Sequence, residues 1–414
     1  MADIARSAPS ALGVPLEGPP ALDPNIVANQ RFRADTSPGK VNLAVGTNVG
    51  ADGKPWSQAT AYPAALAALV KTVGTACGSY NAPDLPRLAA AKEFLCDTID
   101  LPAAARARTV VSWATGGGSG AVNRAIACIR SQHPRGDYDS LVVQTDSWPG
   151  YRSVAYTSGL TFETCPLDFS EIPARGLIVA QTIHNGTGRL VDDAVWRVMG
   201  TQFAAQDRAL IVDFPYAGFD YGDRPYREAI HESASAIHAL AEAGAPVIVA
   251  FGPTKVFNTF AYRPGGAAIV ICRTAEEAAS ADARMKRIER GSTGFIDAVT
   301  VALVQAMADN PDGLRADHAA ILARLAEAAH DWRRHAMGSP LESYFTSAFG
   351  GLFRILPVKP GAPGTIDRLA AKHIHVVDAS TASTPRIRIN TMGLPHGRAA
   401  EIVSAVAAEV VELG

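Results

Sequence analysis

The chain has few of the features that would place it outside ordinary globular enzymes. Five cysteines in 414 residues, Cys77, Cys96, Cys128, Cys165 and Cys272, are odd in number, widely spaced and mostly set in apolar runs. They read as reduced core thiols, not as a disulfide frame or a metal knot, and point to a reducing cytoplasm. No metal site is expected. No run reaches the about 18 apolar residues of a membrane span, and the opening MADIARSAPSALGVPLEGPPALDP has no apolar segment after a basic one, so neither a membrane partner nor export is expected. The net charge of −2 supplies no field for a polyanion, which speaks against nucleic acid. There is no GK[ST] and no GxGxxG, so a nucleotide is disfavoured. Repeats and low-complexity tracts are also missing.

What is present is a βα alternation. Strand-like runs at 108–113, 141–145, 176–182, 209–214, 247–251 and 267–272 alternate with helical stretches at 153–157, 192–205 and 228–243. This order predicts an α/β fold whose large domain carries a mainly parallel sheet flanked by helices. Helices are also expected at 61–73, 87–99, 275–290 and 295–308, and a long run at 315–337 suits a helix bridging two domains. A smaller α/β domain follows from Tyr344, with FGGLFRILPV, HIHVVD and RIRIN as strands and a final helix from about Gly397. We expect residues 1–24 to form an N-terminal arm, 25–56 and 318–414 the small domain, and 57–317 the large one.

Candidate chemistry gathers at the carboxyl ends of the strands, where open α/β sheets bind ligands. Lys255 follows the strand 247–251, and Arg263 comes eight residues later. A lysine desolvated there has a lowered pKa and can form a Schiff base with an aldehyde cofactor; a solvated loop lysine is the alternative. ATGGGSGA, with Gly117, Gly118 and Ser119, is a strand-to-helix turn that can cradle a phosphate, or a plain tight turn. Three loops, around Trp148, Asn185 and Asp213–Tyr216, end strands on the same edge. A carboxylate such as Asp213 needs a cationic partner there, unless it only caps a helix. Trp148 has a core reading and Asn185 a turn reading as alternatives. In RIRIN the period of two puts Arg386, Arg388 and Asn390 on one face, where arginine can clamp a carboxylate; an edge strand with solvated arginines is the other reading. Gly46, in KVNLAVGTNVGADGKPW, either lets a substrate approach the backbone or makes an ordinary turn.

Taken in order, KVNLAVGTNVGADGKPW, a tyrosine loop, Gly-Gly-Ser-Gly-Ala, SWPGYRSV, HNGTG, DFPY, a lysine with an arginine eight on, and RINTMGL resemble the class I aminotransferases of the aspartate and aromatic type. These are enzymes of pyridoxal 5'-phosphate (PLP), fold type I. The resemblance runs from about residue 24 to the end. It implies an amino acid aminotransferase that moves an amino group between an L-amino acid and a 2-oxo acid, acting as a homodimer. By the same resemblance Lys255 matches the lysine that binds the cofactor and moves the substrate proton, and Asp213 the partner of the pyridine nitrogen. Tyr216 and Asn185 match the pair at the ring's phenolic oxygen, and Trp148 the ring-stacking aromatic. Gly117, Gly118, Ser119 and Arg263 match the phosphate site, and Tyr80 the tyrosine that reaches the neighbouring subunit's phosphate. Arg388, with Gly46 and Asn185 nearby, matches the clamp on the substrate α-carboxylate; Arg386 is a further candidate. Departures from the family pattern are Tyr151 and Ala180 in place of histidines behind the aspartate, Gly186 for a proline and Gly252 for a serine. The arginine for an acidic side chain has no counterpart in RIERGSTGFID. A usual aspartate aminotransferase is therefore not expected, and elimination, decarboxylation or oxidation on the same cofactor is the alternative reaction.

Overall fold

The computed structural model describes residues 24–73, 83–132, 138–220, 224–346, 348–361 and 364–411. Its centre is a seven-stranded sheet. The strands are β1 (Thr109–Trp113), β2 (Ser140–Gln144), β3 (Thr161–Cys165), β4 (Gly176–Gln181), β5 (Leu210–Phe214), β6 (Val247–Phe251) and β7 (Ala267–Ile271). They lie in the order β1-β7-β6-β5-β4-β2-β3. The pairs along β6-β5-β4-β2-β3 are parallel, whereas β7 runs antiparallel to both its neighbours. The inner strands β2, β4, β5, β6 and β7 are buried at every residue. Burial on both faces is why they read as continuous apolar runs rather than as alternations.

Helices begin where side-chain caps allow. Asp84, Asp192, Thr274 and Asp297 each accept a backbone N–H of the first turn of the helix they precede. The long helix expected at 315–337 starts earlier, at Pro311, because Asn310 caps it and proline suits the first helical position. Likewise the helix expected from 295 starts at Ala298, since Asp297 is its cap. Strand β3 was not expected. Its sequence TFETC is polar and largely exposed at the sheet edge, so it lacks the apolar signature of its neighbours.

A second hydrophobic cluster lies beside the sheet. It joins Val41, Leu43 and Val49 to residues from Ile321 to Val410, around a three-stranded antiparallel sheet containing Phe353–Pro357 and Arg386–Asn390. The helix Pro311–Ala336 contributes Leu314 to the core of the main sheet, and Ile321, Leu325 and Trp332 to this second cluster. The carboxyl ends of β5 and β6 thereby face the segment around Gly46, with which they share a cavity. Cys96, Cys128, Cys165 and Cys272 are buried free thiols. Cys77, Tyr80 and the N-terminal arm lie outside the described residues.

Candidate active site

A cavity of about 390 Å³ opens at the carboxyl ends of β4, β5 and β6. Gly46, Thr47, Gly118, Ser119, Trp148 and Asn185 line it together with Asp213, Thr254, Lys255 and Arg263. Lys255 sits one step past β6, in the single helical turn Pro253–Val256 rather than in an open loop. Its carbonyl accepts from Asn48 Nδ2 at 2.8 Å, and its Nζ lies 5.0 Å from the centre of the Tyr216 ring. Burial pushes the Lys255 amine down to about 8; Asp213 opposes this, while Arg388 and Arg263 add to it.

Asp213 is the last residue but one of β5 and is 7% exposed. It caps no helix. Tyr151 donates its hydroxyl to Oδ2, and Gln181 Nε2 donates to the same oxygen at 3.1 Å. Burial raises the Asp213 carboxyl, and these two donors with Lys255 hold it back. Tyr151 does stand behind the aspartate, but the second neighbour is Gln181, next to Ala180. Sequence reasoning missed Gln181. The available signal was that two otherwise apolar strands, SLVVQ and GLIVAQ, both end on glutamine.

Asn185 Nδ2 donates to the Tyr216 hydroxyl at 2.8 Å, and both residues are buried. Trp148 packs edge-on against Tyr151, with ring centres 5.2 Å apart. The glycine turn leads into the helix Gly117–Gln132. Gly117 has φ +67°, and a Cβ there would meet Thr254 Oγ1 at 3.1 Å; Gly118 packs on the Gly252 backbone. The position of Gly117 is therefore tight, whereas a Cβ at Gly118 would meet the Gly252 backbone at 3.5 Å, an ordinary contact, and Gly118, Ser119 and Arg263 border one concavity. Gly186 departs from the family's proline for a steric reason: a Cβ would come 2.1 Å from the Asp146 carbonyl oxygen.

The two arginines on one strand face have different surroundings. Arg388 is buried, lies 4.3 Å over the Phe353 ring and donates to Asn25 Oδ1. Arg386 binds Asp146 with both terminal nitrogens, at 2.7 and 2.9 Å. Arg386, expected beside the substrate, is engaged by a carboxylate of this chain, and both arginines border a neighbouring cavity that shares Asn185 with the first. Among the described residues, Asp100, His231 and His238 bring three possible metal donors within 4.8 Å. Their mutual hydrogen bonds account for that cluster, and none of them lines the cavity.

A mainly parallel sheet that sets a partly buried lysine and a buried aspartate around a glycine-bordered cavity is the arrangement of the fold type I class of PLP enzymes. Residues 38–406 match the model of the family described as aminotransferase class I and II, and the chain belongs to that family. It is 26% identical over 409 residues to a tyrosine aminotransferase of Rhizobium meliloti (strain 1021), covering 92% of this chain and 96% of that one. It is 26% identical over 295 residues to an aromatic-amino-acid aminotransferase of Escherichia coli (strain K12), covering 65% and 69%. In fold it is similar to the aromatic-amino-acid aminotransferase from Burkholderia pseudomallei covalently bound to pyridoxal phosphate, with a TM-score of 0.73 and 23% identity over 96% of this chain and 98% of that one.

Proposed function

We propose that the cavity is the transamination site and that Lys255, Asp213 and Tyr216 carry its chemistry. The enzyme is an amino acid aminotransferase, and its cofactor is PLP. The observation that carries the assignment of residues is the meeting of partly buried Lys255 and buried Asp213 in one cavity with the glycine turn. The residues fit the group: the turn has space that a Cβ would fill, and Asp213 has its Oδ2 engaged from behind.

When bound, PLP supplies an electron sink that makes the substrate's Cα–H bond acidic. In this reading Gly117, Gly118, Ser119 and Arg263 hold the phosphate, and Thr254 borders the same concavity. Asp213 presents an anion to the pyridine nitrogen. Asn185 and Tyr216 offer donors to the phenolic oxygen, and Trp148 walls the ring. Lys255, with its amine lowered to about 8, has a substantial neutral fraction near pH 7 and takes up or releases a proton at Nζ. Positioned proton transfer of this kind contributes roughly two to four orders of magnitude in rate. Arg388 takes the α-carboxylate, beside Gly46.

The lining of the cavity supports a neutral substrate over a dicarboxylic one. Val122, Trp148, Pro215 and Phe260 form apolar wall, and Arg386 is engaged by Asp146. Relatives named for tyrosine and aromatic amino acids agree with this preference, while others of similar identity are named aspartate aminotransferases. The same proposal includes the division into a large and a small domain, a cytoplasmic homodimer, and sites shared through Tyr80. Exposed Val70 and Leu85 offer apolar surface for a second copy. No helix among the described residues is long and apolar enough to cross a membrane.

The test is an absorbance spectrum of the purified protein during additions of single L-amino acids. The visible cofactor band is expected to disappear with a tyrosine-like donor and to return with a 2-oxo acid. Release of ammonia, CO2 or peroxide in place of a 2-oxo acid would move the assignment to elimination, decarboxylation or oxidation.

A further inference from the structure

The side-chain amide of Gln181 is bonded to two parts of the cavity at once. Its Nε2 donates to Asp213 Oδ2 at 3.1 Å, and its Oε1 accepts the backbone N–H of Asn185 at 2.9 Å. Asn185 in turn donates to the Tyr216 hydroxyl. The Gln181 backbone N–H is fixed by Gln144 Oε1 at 2.9 Å, and the residue is 1% exposed. Tyr151 donates to the same Oδ2 of Asp213. Both protein donors to Asp213 thus converge on one oxygen, which leaves Oδ1 for whatever occupies the cavity that Asp213 lines.

We infer that Gln181 is a positioning residue that locks Asp213 and Asn185 at a fixed separation, so that one ring in the cavity meets the carboxylate at one end and the Asn185–Tyr216 pair at the other. The inference rests on the functional reading above. An amide suits the task because it donates and accepts simultaneously. Glutamate of the same shape only accepts when ionised, and methionine has no comparable donor. Both ends of the Gln181 amide are bonded within a buried network, although Gln144 Nε2 in it has no partner, and removing the bridging group releases both sides. Gln181 itself lines the cavity beside Asp213 and also reaches the Tyr151 hydroxyl, so its contribution passes through Asp213, Asn185 and Tyr151.

The test compares Gln181→Met and Gln181→Glu with the wild-type holoenzyme. Two quantities are read: the dissociation constant of PLP by equilibrium dialysis, and the pH at which the visible band of the bound cofactor titrates. Loss of a hydrogen bond to a charged group is expected to raise the dissociation constant at least about tenfold in both variants. The titration midpoint should move as well, which a merely structural contribution would not cause. Tyr151→Phe removes the other donor to Oδ2 and should displace the midpoint in the same direction. Wild-type affinity and midpoint in Gln181→Met overturn the inference; if that variant does not fold, the same result in Gln181→Glu does so. A wild-type protein that binds no PLP overturns the functional reading itself.

Discussion

The lowered proton affinity of Lys255 gives a rate prediction. An amine must be neutral to attack an aldehyde. With its pKa moved from 10.5 to about 8, Lys255 is neutral in roughly one molecule in ten at pH 7, against one in a few thousand for a solvated lysine, a gain of about 300-fold. The measurement is the initial rate of PLP capture by the cofactor-free protein, fixed with borohydride and mapped to a peptide, between pH 6 and pH 10. The rate should rise about tenfold per pH unit up to about 8 and then level off. Asp213→Asn removes a neighbour that holds the proton on, so the break should fall to lower pH. Arg388→Gln removes a positive neighbour, so the break should move up. A rate that climbs unbroken to pH 10, or label on surface lysines with none on Lys255, would refute the reasoning. The same shift has a stability sign. Below pH 8 both folded and unfolded chains are protonated at Lys255, and the folded state bears the whole penalty. Between 8 and 10.5 only the unfolded chain binds the proton, so the cofactor-free protein should gain stability as pH rises.

Other substitutions separate the two arginines and test the tight loop. Arg388→Gln is expected to raise KM for both amino acid and 2-oxo acid by roughly tenfold or more, through loss of a charge-assisted clamp. Arg386→Gln should leave those constants nearly unchanged and lower the thermal midpoint, because Asp146 keeps its partly buried charge without its partner. Gly186→Pro, which restores the family's usual residue, should destabilise the protein by about 2 kcal/mol or more, since a Cβ there meets the Asp146 carbonyl oxygen at 2.1 Å; urea denaturation reads it.

The buried strands were legible because burial on both faces leaves an unbroken apolar run, as in VIVAF and LIVDF. Lys255 and Asp213 followed from their places at the ends of those runs. Gln181 was not legible, since a polar residue ending a strand is usually an exit to solvent, and only the fold shows it under Asp213. The period of two placed Arg386 and Arg388 on one face of their strand. It carried no information about Asp146, which is 240 residues away in sequence and decides what Arg386 does. Strand β3 was hidden for the opposite reason, because its exposed edge position permits polar side chains. Proline at 311 and asparagine at 310 were visible helix-start signals that the apolar periodicity alone passed over.

The cavity wall is drawn from Gly46, from Lys255 and from the loops between, while Arg388, on a strand far along the chain, borders a neighbouring cavity that shares Asn185 with it; Asn48 secures the Lys255 carbonyl across 207 positions. During synthesis these groups emerge one after another. At about 5 to 20 residues per second, the 133 residues that separate Lys255 from Arg388 (388 − 255) take roughly 7 to 27 seconds to translate. For that interval the growing chain carries its lysine without the arginine proposed to take the substrate carboxylate. Any cofactor captured on the ribosome would then precede amino acid selectivity, and the order of assembly would be written in the order of the codons.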